Sequence, residues 1–485
     1  MSAEALHVEG VRPDRVATEA WWAFPAVPFL GAAASFGWIL YAELQRAYGM
    51  TALAWDLAYQ QQVVWNVSRG HGFYSSFARA DLLGIHLEPI LIPVAAVERL
   101  WPSPIVLLIL GSAGLAATGP AAYFFLRAML PADRPASPWL AVALAAPIPF
   151  WAAIQEAAGD FFHPENLALP FALLAAWAGL RGRRIAMWTL CVLSLACKED
   201  QVYTVAVLAL LMRSYGAPSV SKHWRFLLYL AGGWLLVGTG LVQPYFRDSG
   251  YTDLSYYGWL VGLNPDMPVT PLAVLSAVAR PEALLMVAGV IASLGALPLL
   301  APRWSLLAIP PYLAAVLSEH APQNLLHLHY VLPLLFPLLA AAAVGGRWWL
   351  QRRPLSPALA LFPIAPALVI AYLTGSVPPS LRAPDSVYTR PNVVAQLAQA
   401  TAVIPSDAPV NADSALDVWL ANRHQINDFP DRLDASSYVV IDRQAYLGGP
   451  TDVSRRQREL AALASSGRSL IYDDGRFQVW SPVPD

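Results

Sequence analysis

The sequence predicts a polytopic all-α membrane protein with a small α/β unit at its C-terminal end. Two properties of the 485 residues carry the first half of that reading. Hydrophobic residues make up 56% and charged residues only 13%, about half the charged share of an ordinary soluble chain. Many apolar runs also approach the roughly 20 residues needed to cross a bilayer. The second half rests on a change of character after residue 374, where the apolar runs end and charge rises. The net charge is −2 and there is no basic tract, so nucleic acid is not an expected partner.

Residues 1–20 are polar and mixed in charge, without a basic-then-apolar leader pattern or a small-residue cleavage site. They read as a cytoplasmic tail, and the first apolar run as a retained membrane helix. Eleven spans follow, at about 21–42, 103–128, 137–154, 165–181, 184–198, 201–213, 225–245, 282–301, 304–319, 329–346 and 355–374. Several contain proline, which membrane helices tolerate. Cys191 and Cys197 fall in one of them, six residues apart and on different sides of a helix, which argues against a disulfide.

Orientation follows from the basic residues of the connecting segments. With the N-terminus in the cytoplasm, the inner segments carry Arg12, Arg15, Arg127, Arg134, Arg181, Arg183, Arg184, Arg213, Lys222, Arg225, Arg303, Arg347, Arg352 and Arg353. The outer segments, though longer, carry only Arg46, Arg69, Arg79, Arg99, Lys198, Arg247 and Arg280. This frame explains the run "SLACKEDQVY", which puts Lys198, Glu199 and Asp200 between two apolar stretches. One helix over 184–213 would be about 45 Å long and bury three charges in a core about 30 Å thick. Two short spans meeting at the charged trio keep the basic loops inside and place the trio at the outer edge. An odd number of spans leaves residues 375–485 extracytoplasmic, in a bacterial inner membrane. There "PVNAD", "SSYVVIDR" and "SLIYDDGRFQVW" read as short strands, the last a hairpin turning at Asp474-Gly475. "DSALDVWLANR" and "TDVSRRQRELAALASSG" read as helices, the second with Thr451 as N-cap and Gly467 as stop.

Unusual polar residues gather on the outer side. The first outer loop, 43–102, is too long for a connector. Trp55, Tyr59, Gln62 and Trp65 recur at helical spacing, as do Ile85, Pro89, Ile92 and Ala96, so both halves read as amphipathic helices lying along the membrane surface. Asp56 sits in the first; His86 and Glu88 head the second. The loop "QEAAGDFFHPENLALP" adds Asp160, His163 and Glu165, and "SEHAPQNLLHLHYVLP" adds Gln323, His327, His329 and Tyr330. Each has a plain structural reading: Asp160 as a helix cap, His-Pro-Glu as a tight turn, the aromatics as interface anchors, Lys198 as the partner of its acidic neighbours. Convergence of four distant loops on one side favours a functional cleft, since charged groups at membrane edges are costly to keep.

The segments "WDLAYQQQVVW", "GIHLEPILIPVAAVERLWP", "DFFHPENLALP", "CKEDQ" and "HYVLPLLFPLLAAAA" resemble, in that order, the domain of unknown function 2079 family of bacterial membrane proteins. The resemblance runs from about residue 50 to the end. That family in turn looks like a distant relative of the GT-C glycosyltransferases, multi-span enzymes that move a sugar from a polyprenyl-phosphate carrier on the outer face. The resemblance matches Asp56 to the acid of the first motif, His86 and Pro89 to the second, His163 and Glu165 to the third, and Lys198, Glu199 and Asp200 to the fourth. Gln61 and Ile85 stand where the pattern has acids, which thins the carboxylate set. On this reading the fold is GT-C-like over residues 21–374. The donor is a polyprenyl-phosphate-linked hexose or pentose, and the acceptor an envelope glycan, lipid or protein.

Glycosyl transfer needs a base for the acceptor hydroxyl and charge stabilisation for the departing phosphate. Asp56 is the expected base. Lys198 is the expected phosphate partner, with Arg247 or Arg280 assisting. Glu88, Glu199, Asp200, Gln323, His327, His329 and Tyr330 complete the expected substrate contacts with His86. Asp160, His163 and Glu165, with Asp56, are candidates either to orient sugar hydroxyls or to hold a divalent cation, manganese or magnesium. Two rival classes remain: a transporter or flippase of a lipid-linked or polar substrate, and a non-catalytic membrane scaffold. An enzyme calls for a pocket joining Asp56, His163 and Lys198; a transporter calls for a polar track through the bundle.

Overall fold

In a computed structural model of the chain, residues 23–247, 253–264, 266–430, 433–445 and 450–484 are described. The cytoplasmic tail expected at 1–20, and the side chains of Asp56 and Thr451, lie outside the described residues. The fold is mostly helical. Six helices are long and apolar enough to cross a membrane: Pro25–Tyr48, Pro104–Met129, Ser137–Gly159, Trp224–Phe246, Pro271–Ser293 and Ala321–Arg352. Three shorter apolar helices, Glu165–Leu180, Arg184–Leu195 and Leu359–Thr374, accompany them. Spanning length is thus reached six times among the described residues, against eleven sequence-expected crossings. Prolines and single-turn breaks account for part of the difference, and helices such as Arg184–Leu195 and Val202–Tyr215 are simply short. The 304–319 stretch, for instance, falls into Pro302–Ser305, Leu306–Ala308 and Ile309–Val316, with Pro310 and Pro311 unable to donate to a continuous helical ladder.

The helices run alternately between two ends. Arg347 donates to the Met129 carbonyl at 3.0 Å and lies over the Tyr215 ring, Arg134 donates to Gln351, and Gly179 abuts Met212. These contacts gather the basic connections at one end. At the other, His86 meets Glu199, Lys198 meets Glu165 and Asp160 meets His329. The Arg184–Leu195 and Val202–Tyr215 helices are separate, so Lys198-Glu199-Asp200 forms a turn between them, as the length argument requires.

At this acidic end, residues 54–69 form a π-helical turn, Ala54–Ala58, continuing into the helix Tyr59–Arg69. A two-stranded hairpin follows (β1, Tyr74–Ser75; β2, Ala80–Asp81). The second helix of the loop begins only at Leu91 and ends at Glu98. The periodicity beginning at Ile85 therefore overstates it. Pro89 disfavours helix in the residue before it, and residues 85–90 run as a non-helical segment. Gly84 makes that course possible: a Cβ there would stand 2.7 Å from the Phe246 carbonyl oxygen.

The C-terminal segment carries a five-stranded sheet of order β4-β3-β5-β7-β6. β3 (Val410–Ala412), β4 (Ile426–Asp428) and β5 (Tyr438–Asp442) are parallel; β6 (Leu470–Asp473) and β7 (Phe477–Trp480) add the antiparallel hairpin. Its turn needs Gly475, at φ +90°. Helices Ser414–Leu420 and Pro450–Ala464 match the sequence expectation. This unit sits on the first loop. Gln61 donates to Asn422 at 2.6 Å, Gln62 to the His424 carbonyl at 3.1 Å, and the Ile426 amide to Ser76 at 2.9 Å. Leu57, Val63, Leu91, Leu416, Val418 and Phe477 share one apolar core. The Tyr59–Arg69 helix is consequently buried between sheet and bundle, with Gln60, Gln61, Gln62 and Asn66 all enclosed, rather than lying open on a membrane surface.

Candidate functional site

A cavity of about 350 Å³ opens at the acidic end, lined by His86, Lys198, Glu199, Asp200, Tyr203, Tyr256, Tyr257, Gln323 and Tyr330 among polar and aromatic groups, and by Leu235, Pro311, Ala314 and Pro333 among apolar ones. Five chain segments build it, around residues 86, 198–203, 235–239, 256–257 and 311–333. Each polar residue is placed by a local feature. His86 and Glu88 ride on the segment pinned over Gly84. The trio occupies the turn between two short helices. Gln323 and Tyr330 lie where the last long helix unwinds at its start. Tyr256 and Tyr257 are fixed by Glu319, whose amide donates to the Tyr256 carbonyl at 2.7 Å and whose carboxylate accepts from the Trp259 amide and the Asn264 side chain, each at 2.8 Å.

The charges are paired in a chain. Glu199 accepts from His86 at 2.9 Å and from the Leu87 amide at 2.7 Å. Lys198 Nζ lies 2.5 Å from Glu165 Oε1 and 5.9 Å from the centre of the Tyr330 ring. Behind Tyr330, which packs 4.1 Å from His329, stands a second cluster. His329 is hydrogen-bonded to Asp160, and Glu165 faces its other nitrogen at 3.5 Å. The His163 and His329 rings stack at 4.1 Å.

Burial and charge set the protonation of the groups at the loops. Burial lifts the Asp200 carboxyl to about 7 and that of Glu88 to about 8. Burial opposes charge on His86, and Lys198 opposes it further, yet Glu199 and its hydrogen bond prevail and hold the imidazole at about 9. Near neutrality the cavity therefore carries a protonated His86 beside an Asp200 that is half neutral.

Of the residues expected from sequence, His86, Lys198, Glu199, Asp200, Gln323 and Tyr330 line the cavity; Glu165, Asp160, His163 and His329 form the network behind it. Glu88 is buried, within the electrostatic reach of His86 and Lys198. His327 is 40% exposed at its side chain and faces Glu156 at 3.7 Å, away from the lining. Arg247 donates to the Gly84 carbonyl, and neither it nor Arg280 is a lining residue. The backbone of Asp56 lies in the π-helical turn against the Ser414–Leu420 helix, where the Ala54 amide donates to Ser414 at 3.0 Å. Sequence reading missed Tyr203, Tyr256 and Tyr257. The run "SYYGW" was a usable signal for the last two, because paired tyrosines between apolar spans suit an interface.

Comparison with known proteins supports a membrane protein. The family model described as "Predicted membrane protein (DUF2079)" matches residues 46–466, and the chain belongs to that family. No curated protein matches it.

Proposed function

We propose that this member of the DUF2079 family binds the phosphate of a lipid-linked sugar in the cavity and transfers the sugar to an acceptor on the outer face of the membrane. The observation that carries the reading is the composition of the cavity wall. Two cations, Lys198 and His86, share the wall with a cluster of tyrosines, and Leu235 and Thr239 line it as well. Those two belong to the stretch Trp224–Phe246, a helix of spanning length whose neighbouring side chains Leu236, Leu241 and Tyr245 are exposed. A phosphate suits the cations, sugar rings suit tyrosine faces, and a prenyl chain suits an apolar wall that continues into the bilayer.

In this reading Lys198 takes up charge developing on the departing phosphate. Asp56 is the base that accepts the acceptor's proton. Glu165 holds the Lys198 ammonium in place. The bilayer orientation with basic connections inside, eleven crossings and an extracytoplasmic C-terminal unit belong to the same proposal, as does the bacterial inner membrane. A transporter is less well supported. Along the last long helix, from Pro333 at the cavity to Gly346, the buried side chains are all apolar, so no polar track follows that helix towards the basic end.

The test compares detergent-purified protein titrated with a long-chain polyprenyl phosphate and with the matching polyprenol. Lipid-linked sugar profiling of a deletion strain complemented with Lys198→Gln accompanies it. Wild-type protein is expected to prefer the phosphate by at least about tenfold, some 1.4 kcal/mol, and Lys198→Gln to abolish both the preference and the complementation. Equal affinity for phosphate and alcohol would exclude the cavity as a lipid-phosphate site.

A further inference from the structure

We infer that Asp160, His163 and His329 form a binding site for a divalent transition-metal ion, with zinc the best-matched probe. The sequence grouped Asp160 and His163 with Asp56 and Glu165; the structure changes the set. Asp160, His163 and His329 each offer one donor atom, and the three lie within 4.8 Å of one another. Both imidazoles aim Nδ1 at the same Asp160 oxygen: His329 is bonded to it, and His163 lies 3.5 Å away. The His163 Nδ1 is buried and has no hydrogen-bond partner among the described residues, which is costly for a polar atom unless something fills the role.

Glu165 does not belong to the group of converging donor atoms, and Lys198 holds its Oε1. It stands instead where a supporting carboxylate belongs. His329 presents Nδ1 to the cluster and Nε2 to Glu165, at 3.5 Å. A metal-bound histidine commonly donates its second nitrogen to a carboxylate, which fixes the ring and raises its basicity. Two imidazoles and one carboxylate select zinc, iron, nickel or copper over magnesium or calcium, which favour all-oxygen shells. Three protein ligands also leave a coordination position open, the pattern of zinc sites that act on a further ligand. The stacked rings must splay slightly for both nitrogens to reach one ion. Tyr330, packed on His329 and lining the cavity, is the only ring that has to be crossed between them among the described contacts.

This inference goes beyond sugar transfer and is read without any lipid. Untagged protein in detergent is stripped with a chelator, loaded with zinc, desalted and assayed for metal content. One zinc per chain is expected, falling below about a tenth in Asp160→Ala and His163→Ala, where the donor set drops to two. His327→Ala, which removes a histidine outside the cluster, is expected to retain it. Because an alanine variant can fail through misfolding, His163→Cys is loaded with cobalt. A thiolate-to-cobalt charge-transfer band is expected beyond any that cobalt-loaded wild-type protein shows from Cys191 and Cys197, and this added band appears only if residue 163 touches the ion. Wild-type protein that retains no zinc, alanine variants that keep it, or a cobalt-loaded His163→Cys protein without the added band would each overturn the assignment. None of these results depends on whether the cavity binds a lipid phosphate.

Discussion

Removing Lys198 tests two roles at once, and a double-mutant cycle with Glu165 separates them. The ammonium and carboxylate are 2.5 Å apart, and their side chains are 10% and 1% exposed. Lys198→Met leaves a buried carboxylate with His329 at 3.5 Å and the His163 imidazole nearby. Breaking a buried pair from one side costs about 3–5 kcal/mol, mostly for the stranded charge. Glu165→Gln strands the ammonium and is expected to cost a similar amount. The double variant Lys198→Met with Glu165→Gln strands neither, so its cost should fall to about the 1 kcal/mol of a lost hydrogen bond, far below the sum of the singles. Equilibrium unfolding in mixed micelles, followed by tryptophan fluorescence, measures all three. Polyprenyl-phosphate affinity is measured on the same proteins. Stability should return in the double variant while affinity stays at least about tenfold reduced, some 1.4 kcal/mol, because the cation is still missing. Simple additivity of the stability losses would refute the pairing. Recovery of affinity with stability would show that Lys198 serves the fold alone.

Further outcomes follow from the same geometry. Asp56→Asn should lower sugar transfer by about 10²–10⁴-fold while leaving phosphate-lipid binding intact; unchanged product profiles would remove Asp56 as the base. Phosphate-lipid affinity should fall between pH 6 and 8, as Asp200, raised to about 7, acquires its charge while His86, held at about 9, keeps its own. Asp200→Asn should flatten that step, and a flat wild-type profile would exclude it. Gly84→Ala places a methyl 2.7 Å from the Phe246 carbonyl, so a loss of about 1–3 kcal/mol is expected from overpacking, read by unfolding; full stability would show that the loop does not seat there. In the C-terminal unit, burial raises Asp413 to about 6. A carboxyl raised in the fold contributes stability that is complete below its unfolded value near 3.9 and is lost as pH rises through 6. Amide exchange in β3 and β5 should therefore quicken from pH 4 to 6 after correction for the intrinsic rate, and less so in Asp413→Asn.

Hydropathy and charge bias were enough to locate the two ends of the bundle, because both are local properties that bilayer chemistry imposes on each segment. The turn at Lys198-Glu199-Asp200 was legible for the same reason: three charges and a 30-residue apolar stretch fit a bilayer in one way. The strands at 410–412, 438–442 and 470–480 were legible from β-branched runs and from Asp474-Gly475. What escaped was everything decided by packing between distant segments. The helix Tyr59–Arg69 looks amphipathic and surface-lying, yet its glutamines bond to Asn422 and to the Arg423 and His424 carbonyls, partners more than 350 residues away. The start of the second loop helix was misplaced because Ile85 and Pro89 fit a helical period that Pro89 itself breaks. His327 and His329 look equivalent in sequence. Backbone geometry separates them: Leu326 and Leu328 both adopt positive φ, at +57°, and that irregular turn sends one imidazole towards Glu156 and the other into the Asp160 cluster.

The separation of the two polar layers bears on what the molecule does. The tyrosine-lined cavity can receive a phosphate only while the Lys198 ammonium is presented towards Tyr330. Glu165 does this, and the same carboxylate supports His329 from the other side. A change in the Asp160–His163–His329 cluster that moved His329 would thus reach Lys198 through a single side chain. Glu165→Asp is the perturbation that follows. It keeps the charge and shortens the reach by one methylene, so the carboxylate cannot hold both partners at their present distances. Phosphate-lipid affinity and zinc retention should then weaken together, whereas Asp200→Asn, which alters the cavity alone, should change the first and spare the second. Independent responses to Glu165→Asp would show that the two layers are neighbours without being coupled.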